Sequence, residues 1–201
     1  MKIFCKLGLL LLVSAPLGTF AQKMKIISGN FDFLKDQKEI NVEFDYRGMT
    51  FYNENILEEE YVKRREKEIT ANKGESEAKR WRADWDDSKN RVFVNKFLSL
   101  VNENTVLKLD KSPNAKYTLI VQTEWIYPGW FAAVMAQKAK VSTQLRFVET
   151  SNPTNSLLVI TSEKAPGDIA FVGVPNNNDR IAEGYAKTGK TLAKLIAKKV
   201  K

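Results

Sequence analysis

Tyr117-Thr118-Leu119-Ile120-Val121-Gln122-Thr123-Glu124-Trp125-Ile126-Tyr127 is the stretch on which the fold turns. Its period of two predicts a strand with Tyr117, Leu119, Val121, Thr123, Trp125 and Tyr127 on one face and Thr118, Gln122 and Glu124 on the other. Working upstream, Ile40, Val42, Phe44 and Tyr46 alternate with Asn41, Glu43 and Asp45, and a short first strand is expected over 23–28. Downstream, Ala139, Val141, Leu145 and Phe147 oppose Lys140, Ser142, Gln144 and Arg146. The turn Asn152-Pro153-Thr154-Asn155 then leads into a partner strand over 157–163. Strands that alternate this cleanly bury one face and wet the other, whereas a parallel sheet covered on both sides shows continuous apolar runs. The expected fold is therefore α+β: a two-layer sandwich with a mixed, mostly antiparallel sheet and helices packed on one face.

The helices are read from a different periodicity. Residues 58–70 form a charged segment with Glu59/Lys63 and Glu60/Arg64 spaced as i,i+4 pairs, and only Tyr61, Val62 and Ile69 offer apolar contact. Its predicted place is peripheral. Residues 78–101 carry Trp81, Trp85, Val92, Phe93, Phe97, Leu100 and Val101 at helical spacing, with Asp86-Asp87-Ser88 as an expected break or re-cap. A last helix is expected over 179–199, after a loop rich in Gly, Pro and Asn at 165–178.

That last helix contains Gly184-Tyr-Ala-Lys-Thr-Gly189-Lys190-Thr191, which satisfies the phosphate-loop pattern G-x-x-x-x-G-K-T. The pattern binds phosphate only as a loop between a buried strand and a helix N-terminus. Here the preceding residues 176–183 are polar, and an apolar stripe (Ile181, Tyr185, Leu192, Leu195, Ile196, Val200) runs through the motif. A helix is the better reading, with no nucleotide bound.

Composition narrows the chemistry further. The 201 residues contain no histidine and one cysteine, Cys5. Lys2 and Lys6 flank the start of an apolar run, Leu7 to Val13, and Thr19-Phe20-Ala21 precedes Gln22. A positive start, a short greasy run and small residues at minus three and minus one read as a secretory signal peptide cleaved after Ala21. The run is shorter than the roughly 20 apolar residues that a membrane span needs. The expected organisation is thus a signal peptide at 1–21 and one α/β domain at 22–201, secreted or periplasmic. Of the formal net charge of +8, two units belong to the signal, and the remaining surplus is too diffuse for nucleic acid. Without His or a mature Cys, triads, Cys nucleophiles and Cys-based zinc sites are excluded. No cofactor, metal or catalytic site is expected.

The candidate contact residues fall into two groups. Trp130, Phe131, Val134 and Met135 lie between two long strands, either as an exposed aromatic tip or packed on the core. The wet sheet face offers Glu43, Asp45, Glu124 and Arg146, either as a docking surface or, through paired carboxylates, as glycan-active chemistry. Trp81/Trp85 read as core more readily than as a sugar platform, and Asp84, Asp86 and Asp87 as a solvated or capping cluster rather than a calcium loop. Lys187, Lys190, Lys194, Lys198 and Lys201 form a basic helix face that suits either solvent or an anionic membrane surface.

The order of elements carries a resemblance. The strand at 40–46, the helices, Tyr117-Thr-Leu-Ile-Val121, Val141-Ser-Thr-Gln-Leu-Arg-Phe-Val-Glu149 with its hairpin partner, and the terminal helix at 180–200 resemble the N-terminal α/β domain of the Tol-system translocation protein and related envelope lipoproteins. The order is also similar to that of secreted Gram-negative proteins of uncharacterised domain families. The resemblance implies a non-enzymatic domain that docks to other envelope components, protein or glycan. The chain departs from the lipoproteins in having Cys5 ahead of its apolar run rather than at the cleavage site, and in a longer helical insertion at 54–104.

Overall fold

The computed structural model describes residues 22–132, 135–167 and 177–200, with the side chains of 131–136 outside the description. The expected signal peptide at 1–21 therefore lies outside the described residues, as does most of the loop at 165–178. In chain order the elements begin with β1 (Lys23–Gly29), β2 (Glu39–Asp45), β3 (Thr50–Phe51) and β4 (Ile56–Leu57). Three helices follow: α1 (Glu58–Lys73), α2 (Glu75–Asp87) and α3 (Phe93–Asn102). The remainder is β5 (Lys108–Asp110), β6 (Tyr117–Tyr127), β7 (Trp130–Ala132), β8 (Met135–Gln137), β9 (Ala139–Glu149), β10 (Asn152–Gly167) and α4 (Asn177–Lys199). Between α2 and α3 the expected break is a π-helical turn, Ser88–Val92.

The fold is the α+β sandwich the alternation predicts. The main sheet runs β1-β10-β9-β6-β2-β5. The β1/β10, β10/β9 and β9/β6 pairs are antiparallel, whereas β2 runs parallel to both β6 and β5. A parallel pair needs a crossover of a dozen or more residues, and α1 to α3 supply it between β2 and β6. β4 pairs with β3, and β3 runs parallel to the end of β6 through Thr50–Trp125 and Phe51–Ile126.

α4 roofs β9 and β10, with α3 against its flank. Ile181, Tyr185, Leu192 and Ile196 point down into the core, none more than 2 % exposed. Residues 184–191 are helical throughout, so their glycines serve packing. A Cβ on Gly184 would meet Val141 Cγ2 at 2.6 Å, and one on Gly189 would meet the Phe97 carbonyl oxygen at 2.5 Å. Gly184 lets the helix lie close on β9, and Gly189 lets α3 approach. The phosphate-loop pattern is two close contacts, one turn and a half apart.

α1 is better anchored than its charged sequence predicts. Tyr61 is fully buried and stacks on Phe51 with centroids 4.0 Å apart and rings 2° from parallel. Glu60–Arg64 closes at 2.8 Å on its outer face. Trp85 is fully buried and edge-on to both Tyr61 and Phe51, confirming it as core.

One expectation is corrected within β6. Opposite β9 the register passes from Thr123↔Thr143 to Trp125↔Ser142, leaving Glu124 as an extra residue. This β-bulge reverses the parity of everything after it. Ile126 takes the core position opposite Val141, while Trp125 and Tyr127 turn to the outer face instead of following Leu119 and Val121 inward. β10 is irregular at the same level, between Ser162↔Thr143 and Ala165↔Val141, with Lys164 at φ +51°. The outer face is also less wet than expected at one end. The 110–116 loop folds over it, with Ser112 N–H donating to Asn41 Oδ1 at 2.9 Å and Thr150 Oγ1 to the Ala115 carbonyl at 2.6 Å. Beneath it Asn41, Thr118 and Val148 are buried.

Candidate functional site

The outer face of β2, β6, β9 and β10 divides into a charged half and an aromatic half. In the charged half, Asp45 ends β2 and is gripped by the Arg47 guanidinium at 2.9 and 2.7 Å. That fork, reinforced by the Arg47 backbone N–H and the charge of Arg146 on β9, holds the Asp45 carboxyl below the usual carboxylate range against a partial cost of burial. Glu43 accepts from Asn41 Nδ2 at 3.1 Å. Glu124, at the bulge, has a raised pKa, first because it is partly buried and then because Glu163 adds like charge from β10. The expected carboxylates thus share a face and have different charged neighbours: Arg47 and Arg146 for Asp45, Glu163 for Glu124.

The aromatic half was hidden by the bulge. Trp125 and Tyr127 lie side by side with centroids 6.3 Å apart and rings 22° from parallel, and Tyr52 meets Tyr127 edge-on at 6.2 Å. Trp125 Nε1 donates to the Tyr52 carbonyl at 2.7 Å, and Tyr52 N–H donates to the Ile126 carbonyl. These two bonds hold Tyr52 at φ +59°, a backbone conformation costly for a bulky side chain. Lys164 Nζ stands 5.9 Å from the Trp125 ring centre. Beyond them Trp130, at the start of the β7–β8 hairpin, is 43 % exposed. Its Nε1 and the Tyr127 hydroxyl both donate to Gln137 Oε1, at 2.9 and 2.6 Å, fixing the hairpin to the end of β6.

Of the sequence-derived candidates, then, Glu43, Asp45, Glu124 and Arg146 share the outer sheet face, and Trp130 stands exposed beside it. The side chains of Phe131 and Met135 lie outside the described residues; their backbones form the hairpin, with Ala132 paired to Met135. Tyr52, Trp125 and Tyr127 were missed, and Ile126, an apolar residue out of step in an alternating strand, was the signal that could have found them.

Two other candidates take structural places. Asp86 and Asp87 pair with Arg82 and Arg91, and no group of three metal-ligating side chains occurs among the described residues. Lys187, Lys190, Lys194 and Lys198 are exposed while the apolar stripe of α4 is spent on the core. No described helix is long and apolar enough to cross a membrane.

No protein-family model matches the chain, and no curated protein matches it. Among solved structures the chain is similar to the PelC dodecamer from Paraburkholderia phytofirmans, with 14 % identity over 86 % of this chain and 97 % of that one and a TM-score of 0.41. A point variant of the same protein in another crystal form aligns over the same shares at 14 % identity with a TM-score of 0.38. At that identity and score the likeness reaches no site and no activity.

Proposed function

We propose that the chain is a secreted or periplasmic, non-enzymatic binding protein that docks onto another component of the cell envelope, a protein or a glycan, through the outer face of its sheet. The observation that carries this reading is the strip Tyr52–Trp125–Tyr127–Trp130, held rigid by hydrogen bonds to backbone and to Gln137. Beside it lies a charged half in which Asp45 is ion-paired with Arg47. Aromatic side chains with fixed rings supply contact area at low entropic cost, and a paired polar rim gives orientation. The absence of histidine and mature cysteine, the signal-like first 21 residues and the resemblance to Tol-type envelope domains agree with it. Glycan hydrolysis by Glu43 or Asp45 with Glu124 is the second reading, and what tells against it is that both Asp45 oxygens are taken up by the Arg47 guanidinium.

The test has two steps. Fractionation of expressing cells, with N-terminal sequencing, should return an exported protein beginning at Gln22. Cross-linking of that protein in the envelope, beside a Trp125→Ala/Trp130→Ala double variant, should give a discrete adduct that the variant loses. A cytosolic, uncleaved chain or an adduct pattern indifferent to the double variant would overturn the proposal.

A further inference from the structure

The positive charge of the chain is segregated. Of its 32 basic side chains, two lie at 1–21, two on β1 (Lys23 and Lys25) and six at 187–201; residues 26–186 hold the other 22 and all 24 acids. The body of the domain is therefore slightly acidic, and the whole surplus beyond the expected signal peptide belongs to one edge strand and the second half of one helix.

Ion pairing sharpens the contrast. Arginines on α1 and α2 are taken up by acids of their own helix, as in Arg64–Glu60, Arg80–Glu77 and Arg82–Asp86. Lys96 of α3 pairs with Glu183, the last acid of α4, at 2.6 Å. From Gly184 onward α4 carries no acid, and Lys187, Lys190, Lys194 and Lys198 stand exposed with no ion pair among the described residues. At 3.6 residues per turn and 1.5 Å per residue, these four fall within about 80° of arc in a row about 16 Å long.

β1 lies beside this row. Thr191 Oγ1 donates to Gln22 Oε1 at 2.6 Å, and Gln22 Nε2 donates to Ser162 Oγ at 2.8 Å, so the strand starts level with the middle of the basic half of α4. Gly184 sits over the Ala165 carbonyl and Thr188 over Ser162, so α4 runs antiparallel to β10 and in the same direction as β1. Ile26 pairs with Ile160, which is fully buried on the helix-covered face. Ile26 thus faces the α4 side of the sheet, toward the end of the lysine row, and is 39 % exposed. Lys23 and Lys25 stand exposed on the same edge, opposite Glu163 and Thr161.

We propose that this edge, β1 with the second half of α4, docks on an anionic phospholipid surface, its lysines against the headgroups and Ile26 against the apolar boundary below them. Lysine is a hydrated point charge on a flexible stem, without the fork that reads a single carboxylate or phosphate, so a row of lysines suits a field of many charges. An exposed isoleucine beside the row suits a partner with an apolar layer under its charges, which a bilayer supplies. The apolar stripe of α4 is spent on the core, so the helix rests on the headgroups without sinking between them. The edge is separate from the aromatic strip on the outer face of β6, and neither reading needs the other.

Co-sedimentation of the protein purified from expressing cells tests it, with vesicles of phosphatidylcholine alone and of equal parts phosphatidylglycerol and phosphatidylcholine. Binding to the mixed vesicles that weakens as salt rises, and none to the neutral ones, is expected. A basic side chain near such a surface is worth about fivefold, so Lys187→Gln, Lys190→Gln, Lys194→Gln and Lys198→Gln combined should weaken binding by about a hundredfold or more. Ile26→Ser, which leaves every charge in place, should weaken it by about fivefold. Lys63→Gln, Lys67→Gln, Lys79→Gln and Lys111→Gln combined, an equal loss of charge elsewhere, should change it by no more than about twofold. No binding to anionic vesicles, equal binding to neutral ones, or equal losses in the two four-lysine variants would overturn the proposal. Indifference to Ile26→Ser would overturn it as well, and would leave a soluble polyanion as the partner.

Discussion

Tyr185 and Tyr61 are both fully buried and both packed among aromatic rings, yet their hydroxyls have opposite fates. Tyr185, on the face of α4 that roofs the sheet, shares a 2.7 Å hydrogen bond with Thr123 at the level of the β6 bulge. Tyr61, on α1, has no hydrogen-bond partner among the described residues. Burial raises the pKa of both, so both stay neutral at any physiological pH. The α4–sheet seam is largely closed on itself: Thr188 Oγ1 donates to the Gly184 carbonyl at 2.9 Å within the same seam, although Thr143 Oγ1 on β9 has no partner among the described residues. Where α1, α2 and the first turn of α4 meet, Tyr61 Oη, Trp81 Nε1 and two Arg180 nitrogens have no acceptor among the described residues. Burial alone therefore does not fix the state of a polar group; its hydrogen-bond partner does.

Substitutions can break this contrast in either direction. The largest effect should come from the seam. Gly189→Val places side-chain atoms against the Phe97 backbone carbonyl, which cannot rotate away. Overpacking of this kind should cost about 2–3 kcal/mol in chemical denaturation. Tyr185→Phe, which orphans the Thr123 hydroxyl, should cost about 1–2 kcal/mol. Arg180→Met removes a buried cation that no described carboxylate answers, and it should stabilise the protein by about 1 kcal/mol. Tyr61→Phe should stabilise the protein by about 1 kcal/mol, because it removes a buried hydroxyl that has no partner among the described residues. If Tyr61→Phe instead costs as much as Tyr185→Phe, the two regions are alike and the contrast fails.

The smallest effect belongs to the outer face. The Glu124 carboxyl is raised in the folded state, so it favours the proton there and works against folding once ionised. Glu124→Gln should leave stability unchanged below the ordinary carboxylate range and raise it slightly above the raised pKa. Asp45, whose carboxyl is lowered, has the opposite sign: Asp45→Asn should lose a small increment at neutral pH and none in acid. Urea unfolding of both variants across that pH range separates the two signs.

The layers of the fold were legible because periodicity reports burial directly: β2, β9 and the lower half of β6 sit as their alternation predicts. The upper half of β6 was not, because a bulge changes parity without changing composition, and Thr123, Trp125 and Tyr127 keep an unbroken alternation across it. The helical nature of 184–191 followed from the apolar stripe, but the role of its glycines did not, since close approach to Val141 and to the Phe97 carbonyl is a property of the partner. The unpartnered donors of Arg65, Trp81 and Arg180 were not legible at all. Arg65 and Trp81 lie 16 positions apart and Arg180 is a further 99 along the chain, and an unsatisfied donor is recognised only once every neighbour is in place.

The four tryptophans offer the most direct test. Trp85 Nε1 donates to Glu58 Oε1, Trp125 to the Tyr52 carbonyl and Trp130 to Gln137 Oε1, while Trp81 Nε1 has no acceptor among the described residues. In ¹H–¹⁵N correlation spectra of the full protein, the Trp81 indole proton should lie upfield of the other three, as an indole N–H without an acceptor does. A Trp81 indole signal shifted downfield with those of Trp85, Trp125 and Trp130 would contradict the account.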